Sequence, residues 1–147
     1  MKIARDAARQ LKLELVERRV ASVEALRAAM RALRPGEADV ISFVSDAMVQ
    51  SQAELLIETA RTHRLPTMFS DQGIVAQGGL ASYGASYRTF GQLSAKYVQR
   101  VLLGTDPGDL PVEGFDRLHF AINLKTAKAL GLTIPPAVLA RVDEVIE

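Results

Sequence analysis

Two short apolar runs, DVISFVS at 39–45 and LPTMFS at 65–70, are separated by a helical pattern over 47–63. That succession constrains the fold more than any other feature of the chain. Runs of apolar and β-branched residues without polar alternation read as strands covered on both faces. Between them Val49, Ala53, Leu56, Ile57 and Ala60 recur at three- and four-residue spacing, the apolar stripe of a helix laid on a sheet. Two strands joined through a helix run parallel, because only a long crossover returns the chain in the same direction.

The same alternation extends both ways. Residues 3–11 place Ile3, Ala7, Ala8 and Leu11 on one helical face, and 12–20 then alternates, with Leu13 and Leu15 against Lys12 and Glu14, which predicts a strand. Ser22 is an N-cap for a helix carried by Val23, Leu26, Ala29, Met30 and Leu33, which Pro35-Gly36 stops. Residues 71–84 read as a glycine-rich loop with a helical turn near 73–76 and a short strand at 80–83. One long helix follows over 86–103, with Gly104 at its C-terminal end. TDPGDLPVE, 105–113, is a linker by its proline and glycine content. FDRLHFAI, 115–122, alternates Leu118, Phe120 and Ile122 against Arg117 and His119. Asn123 caps a short helix over 124–130 closed by Gly131, and Pro135-Pro136 opens a last helix running to the end. The expected architecture is α/β: a Rossmann-like parallel sheet flanked by helices, in a single domain over 1–147. The chain opens on a helix with no strand ahead of it, so the sheet is expected to be incomplete at its N-terminus.

Composition narrows the function classes. A net charge of +1 offers no basic footprint for nucleic acid. The absence of cysteine excludes disulfides, zinc–thiolate sites and thiol nucleophiles. In MKIARDAARQLKLELVE, charged residues interrupt every apolar run of the ~7–15 residues a secretory signal needs. No stretch approaches the ~20 apolar residues of a membrane span. The chain as written is expected to be soluble and without an export signal.

In open parallel sheets, ligands collect at the carboxyl ends of the strands. Three triplets stand there: Ser45-Asp46-Ala47, Ser70-Asp71-Gln72 and Ser82-Tyr83-Gly84. Asp46 and Asp71 suit either of two roles, which can coexist. Each is a preferred helix N-cap, and each can hold a ligand's ammonium or hydroxyls. Read as an acid/base pair they lack a third catalytic group, so no enzymatic activity is expected. His63 and His119 are far apart with no partner at metal-ligand spacing, and Gly78-Gly79 fits no phosphate-binding fingerprint. No metal or cofactor is therefore expected. Tyr83, Tyr87 and Phe90 form either an aromatic wall or part of the core.

The landmarks GGLASYG, VLLG, DPGDLPVE, INLKTAKALGLTIP and DEVIE, in that order from residue 78 to the end, form a specific combination. With LPTMFSDQGIVAQ ahead of them they closely resemble the C-terminal part of ABC-transporter substrate-binding proteins of the tryptophan-binding-like family. The resemblance continues more weakly through DVISFVSDAMV nearly to residue 1. It implies one lobe of a type I periplasmic binding protein, in which two Rossmann-like lobes close on a small ligand and hand it to an ABC permease. By the same resemblance Asp46, Ala47, Asp71, Tyr83 and Gly84 contact the ligand, a small organic solute such as an amino acid. It places such a protein in the periplasm; a chain naturally this short would stay in the cytoplasm. Against that pattern the sequence as written is expected to lack the first lobe and a signal peptide, and helix 86–103 resembles a lobe-crossing helix. Its apolar face is expected to be covered by a second copy, as a homodimer. The alternative reading is a truncated relative that no longer transports and serves as an oligomeric interaction or regulatory module.

Overall fold

Helices, singly or in pairs, separate most of the strands along the described residues. In the computed structural model, which describes residues 2–34, 36–114 and 117–147, α1 (Lys2–Gln10) and α2 (Val23–Arg31) precede β1 (Ile41–Ser42). Then come α3 (Ala47–Ser51), α4 (Ala53–Thr62), β2 (Thr67–Phe69), α5 (Gln72–Ala76) and β3 (Ala81–Ala85). The long α6 (Tyr87–Leu102) and a 3-10 turn (Pro107–Asp109) lead to β4 (Leu118–Asn123), α7 (Leu124–Ala129), α8 (Pro136–Leu139) and β5 (Glu144–Ile146). The strands form one sheet in the order β1-β2-β3-β4-β5. Pairs β1–β2, β2–β3 and β4–β5 are parallel, whereas β3–β4 is antiparallel. The α/β class holds, with one pair reversed.

Local chemistry sets most of the helix starts. Ser22 accepts a hydrogen bond from the Ala25 N–H, and Asn123 accepts one from the Thr126 N–H at 3.0 Å. Gly104 and Gly131 follow α6 and α7 in the left-handed region, with φ of 96° and 73°. The main core lies between one sheet face and α2, α4 and α5. Leu26, Met30, Ala53, Leu56, Phe69 and Ile74 are buried there, with Ile41 and Phe43 packed against them. Phe43 stacks on Phe69 with ring centroids 4.9 Å apart, which locks β1 to β2. By register, Phe69, Ser82 and Ala121 share this face, while Met68, Ala81 and Ile122 stand on the other.

Four sequence expectations are corrected. Residues 12–20 enter no ladder, and Leu13, Leu15 and Val16 are exposed. A strand pattern forms a strand only when a neighbour supplies the other half of its hydrogen bonds, and among the described residues no strand pairs with it. The run 39–45 yields only two strand residues, because β1 is an edge strand with Val40 and Val44 in solvent. The helix over 47–63 is broken at Gln52, whose backbone leaves helical geometry at φ −112° and ψ 19°. The last helix stops at Leu139, and the chain end becomes β5. There Asp143 exchanges bonds with Phe120: its N–H donates to the Phe120 carbonyl at 2.8 Å, and its carboxylate accepts from the Phe120 N–H at 2.9 Å. The open edge of β4 thus takes a terminal segment whose pattern alone reads as helical. The strand over 115–122 is found from Leu118 onward, and its first two residues lie outside the described residues.

Candidate functional site

Three parallel strands deliver three chain segments to one edge of the sheet. β1 leads through Ser45 to Asp46, β2 through Ser70 to Asp71, and β3 runs beside β2 to Gly84. Asp46 caps α3 with Oδ1 accepting from the Met48 N–H at 2.8 Å, and Ala47 is the first residue of that helix. Asp71 does the same for α5, accepting from the Gly73 N–H at 2.8 Å. A Cβ on Gly73 would lie 3.2 Å from that same oxygen, so glycine keeps the cap close. Capping thus occupies one oxygen of each carboxylate. The other carries no bond to the protein among the described residues and can accept from a ligand's N–H or O–H.

Gly84 and Tyr83, adjacent in sequence, do different things. A Cβ on Gly84 would stand 2.0 Å from the Ser70 carbonyl oxygen and 2.9 Å from its carbon. The backbone of β3 therefore lies directly against the end of β2, and the wall of the site between Asp71 and β3 is main chain on main chain. The Tyr83 side chain points to the opposite face, meets Phe120 edge-to-face at 6.1 Å, and is 53% exposed. Asp46, Ala47, Asp71 and the Gly84 backbone share the strand-end edge. The Tyr83 ring stands off it.

Two neighbours on this edge, singled out in the sequence, were not among the expected ligand contacts. Tyr87, in the first turn of α6, accepts at its hydroxyl from Gln50 Nε2 at 3.3 Å, tying α3 to α6. Gln72, beside Asp71, keeps its Oε1 shielded from solvent with no hydrogen-bond partner, an unmet acceptor at the entrance to α5. Its place in a strand-end triplet next to an N-cap was the available signal. Because β3 and β4 are antiparallel, the start of β4 returns to this same edge, with His119 opposite Gly84. A cavity of about 630 Å³ lies there under the first turns of α6, lined by Ser86, Thr89, Glu113, Arg117, His119 and Asp143. The Phe120 N–H and the ion pair with Arg117 hold the Asp143 carboxyl below its ordinary range. Lys96, 2.8 Å away, does the same for Glu113. The carboxylates of this cavity are thus internally paired, whereas Asp46 and Asp71 have no cationic partner among the described residues.

Known proteins share this fold. A family profile described as ABC transporter substrate binding protein matches residues 1–146. A tyrosine-binding protein from Clostridioides difficile (strain R20291) is 29% identical over 127 residues, covering 86% of this chain and 36% of that protein. A solved ABC domain from Streptococcus pneumonia in complex with L-Trp superposes with a TM-score of 0.84 at 27% identity, over 99% of this chain and 50% of that one. A conserved domain protein from Vibrio cholerae O1 biovar eltor (strain N16961) gives 0.82 at 31% identity, over 98% of this chain and 48% of its own. The chain spans about half the length of these solved relatives and about a third of the curated one.

Proposed function

The chain belongs to the ABC transporter substrate-binding protein family, whose members bind solutes rather than catalyse reactions, and from that premise we propose that it forms one side of an amino-acid cleft. The ligand is an aromatic amino acid or a close analogue, held at the strand-end edge. Asp46 and Asp71 take its ammonium or polar hydrogens, and Ala47 and the Gly84 backbone shape the floor; the Tyr83 ring, turned to the other face, makes no contact from this lobe. The observation that carries the reading is the match, over 99% of the chain, to a domain solved with L-Trp, combined with two unpaired carboxylates on the ligand-collecting edge. In the two-sided binders of this family a ligand is enclosed from both sides and delivered to an ABC permease outside the cytoplasm. The same role is proposed for the protein to which this lobe belongs. One lobe provides at most half of the contacts, so millimolar affinity is expected of this chain alone, about −4 kcal/mol.

Amide NMR during titration with L-tryptophan tests it. Shifts concentrated at Met48, Gly73 and Gly84 are expected, weakened in Asp46→Asn and Asp71→Asn. Asparagine caps a helix about as well as aspartate, so these variants remove charge and keep the fold. No shift at these amides up to about 10 mM ligand, well above the expected dissociation constant, would sink the reading.

A specific observation favours a second reading, in which the chain acts as an oligomeric module. Over its 16 residues α6 has no buried residue; Val98, Leu102 and Leu103 around its C-terminal half are 57%, 82% and 79% exposed. Its recorded anchors to the 111–113 segment are polar: Tyr97 donates to the Pro111 carbonyl, and Lys96 pairs with Glu113. A second copy covering this face would make a homodimer. Light scattering that stays monomeric at every concentration rules this reading out; association abolished by Leu102→Asp supports it.

A further inference from the structure

The stretch INLKTAKALGLTIP takes no part in the proposed solute site, and its first residues stand at the opposite end of the sheet. β4 runs antiparallel to β3, so Ile122 pairs with Ala81 at the start of β3, and Asn123 lies one residue beyond. The crossover between β2 and β3 ends at the same place. It leaves the rim at Asp71, runs through α5, and returns along 77–80 to the start of β3. α5 is therefore a strut with a rim carboxylate at one end and the INLKT residues at the other.

The bonds at the far end come from the junction of β4 and α7. Asn123 Nδ2 donates to the Val75 carbonyl at 3.0 Å, inside the core. Thr126 Oγ1 donates to the Gly78 carbonyl, also at 3.0 Å. The Asn123 N–H donates to the Leu80 carbonyl at 2.9 Å. Asn123 thus holds α5 with its amide nitrogen, holds the approach to β3 with its backbone, and caps α7 with its side-chain oxygen. The cap starts the helix turn that carries Thr126, so one local motif aims both side chains at the α5–β3 turn.

Burial of Ile74 and Val75 holds α5 against the sheet. That attraction is non-directional and does little to fix a helix along its own axis. Hydrogen bonds to carbonyls do fix it, because they weaken steeply when stretched or bent. A five-residue helix is about 7.5 Å long and moves as a unit, so a shift at Val75 reaches Asp71 nearly undiminished. Groups that hold a ligand must stay within about 0.5 Å of their place, the scale of one lengthened hydrogen bond.

We propose that Asn123 and Thr126 are positioning residues: they touch no ligand, and through α5 they set where the Asp71 carboxylate stands on the rim. Their bearing on affinity rests on the solute reading; the placement of Asp71 does not.

Thr126 is half-buried, so Thr126→Val is a milder change than any at Asn123. It removes the hydroxyl at nearly constant shape, and Thr126→Ser restores it. Thr59→Val is the control, since it deletes a hydroxyl bonded to the Leu55 carbonyl within α4 rather than to the crossover. The readout is the Gly73 amide, which donates to Asp71 Oδ1, followed by NMR without ligand and then during titration with L-tryptophan. The Gly73 signal is expected to move in Thr126→Val, to return in Thr126→Ser, and to stay in place in Thr59→Val. The dissociation constant is expected to rise about threefold to tenfold in Thr126→Val alone. An unmoved Gly73 signal in Thr126→Val overturns the proposal, as does a move that Thr59→Val reproduces, or unchanged affinity in a parent chain that binds. If L-tryptophan shifts no amide of the parent, the solute reading falls, and the Gly73 signal without ligand still decides the placement of Asp71.

Discussion

Gly84→Ala is expected to cost stability although nothing in the backbone conformation of residue 84 demands glycine. Its φ lies outside the left-handed region, so alanine there should gain about 0.4–1 kcal/mol by restricting the unfolded chain. Against this stands one contact, the added methyl 2.0 Å from the Ser70 carbonyl oxygen. A carbon and an oxygen in ordinary contact stand more than 1 Å farther apart, and the obstructing atom is main chain, so it cannot rotate away. The strands β2 and β3 must separate, or the Ser70–Asp71 turn must shift. Overpacking of this kind costs about 1–3 kcal/mol, and a main-chain obstruction belongs at the upper end. The net expectation is a loss of about 2 kcal/mol. Urea denaturation followed by circular dichroism reads it as a lower midpoint at unchanged slope. Because the shift falls on the Ser70–Asp71 turn, the amide signal of Gly73, bonded to Asp71, should move as well. A midpoint equal to or above the parent refutes the close-approach argument, since the entropic term would then act unopposed.

Other outcomes follow from the same structure. Gly91, inside α6 with nothing within 4 Å of an added Cβ, should behave oppositely: Gly91→Ala is expected to stabilise by up to about 1 kcal/mol in the same urea assay. Asn123 is buried, and its amide also donates to the Val75 carbonyl at 3.0 Å. Asn123→Ala removes a cap and strands that carbonyl, so a loss of about 2–4 kcal/mol is expected by thermal or urea unfolding. Asp143 has a lowered pKa in the folded chain, so the unfolded chain binds more protons. Its stabilisation is therefore present above its ordinary value of 3.8 and lost as pH falls through the lower folded value. Asp143→Asn should flatten the acid limb of a stability–pH curve below about pH 4 and leave the neutral limb parallel to the parent.

Local chemistry was legible in the sequence, and partnership was not. The caps at Ser22, Asp46, Asp71 and Asn123 were readable because a cap needs only a short polar side chain two or three residues ahead of the N–H it binds. β2 was readable because its burial writes itself as an apolar run, whereas the apolar run around β1 stands at an exposed edge. Residues 12–20 and the chain end show the limit. The first has a strand pattern without a neighbour, the second a helical pattern beside an open strand edge, and in both cases the neighbour decided. The candidate site divides the same way. The strand-end positions of Asp46 and Asp71 followed from the α/β order, whereas the packing of Gly84 against Ser70, and the turning of Tyr83 to the other face, depend on pairing between strands distant in sequence.

The reversal between β3 and β4 has a mechanical consequence. The chain departs from the sheet after Ala85 and comes back at Leu118, and these two residues are register partners, side by side in the antiparallel pair. α6 leaves the sheet from one of these two adjacent stems, and its first turn is also tied to α3 through Tyr87 and Gln50. α6, 16 residues long, is a rod of about 24 Å fixed at that pivot. A tilt of about 10° at its base would sweep the far end of a rod that long through about 4 Å. The base of that rod is bonded to the rim, because the Tyr87 hydroxyl in its first turn accepts from Gln50 on α3, the helix that Asp46 caps.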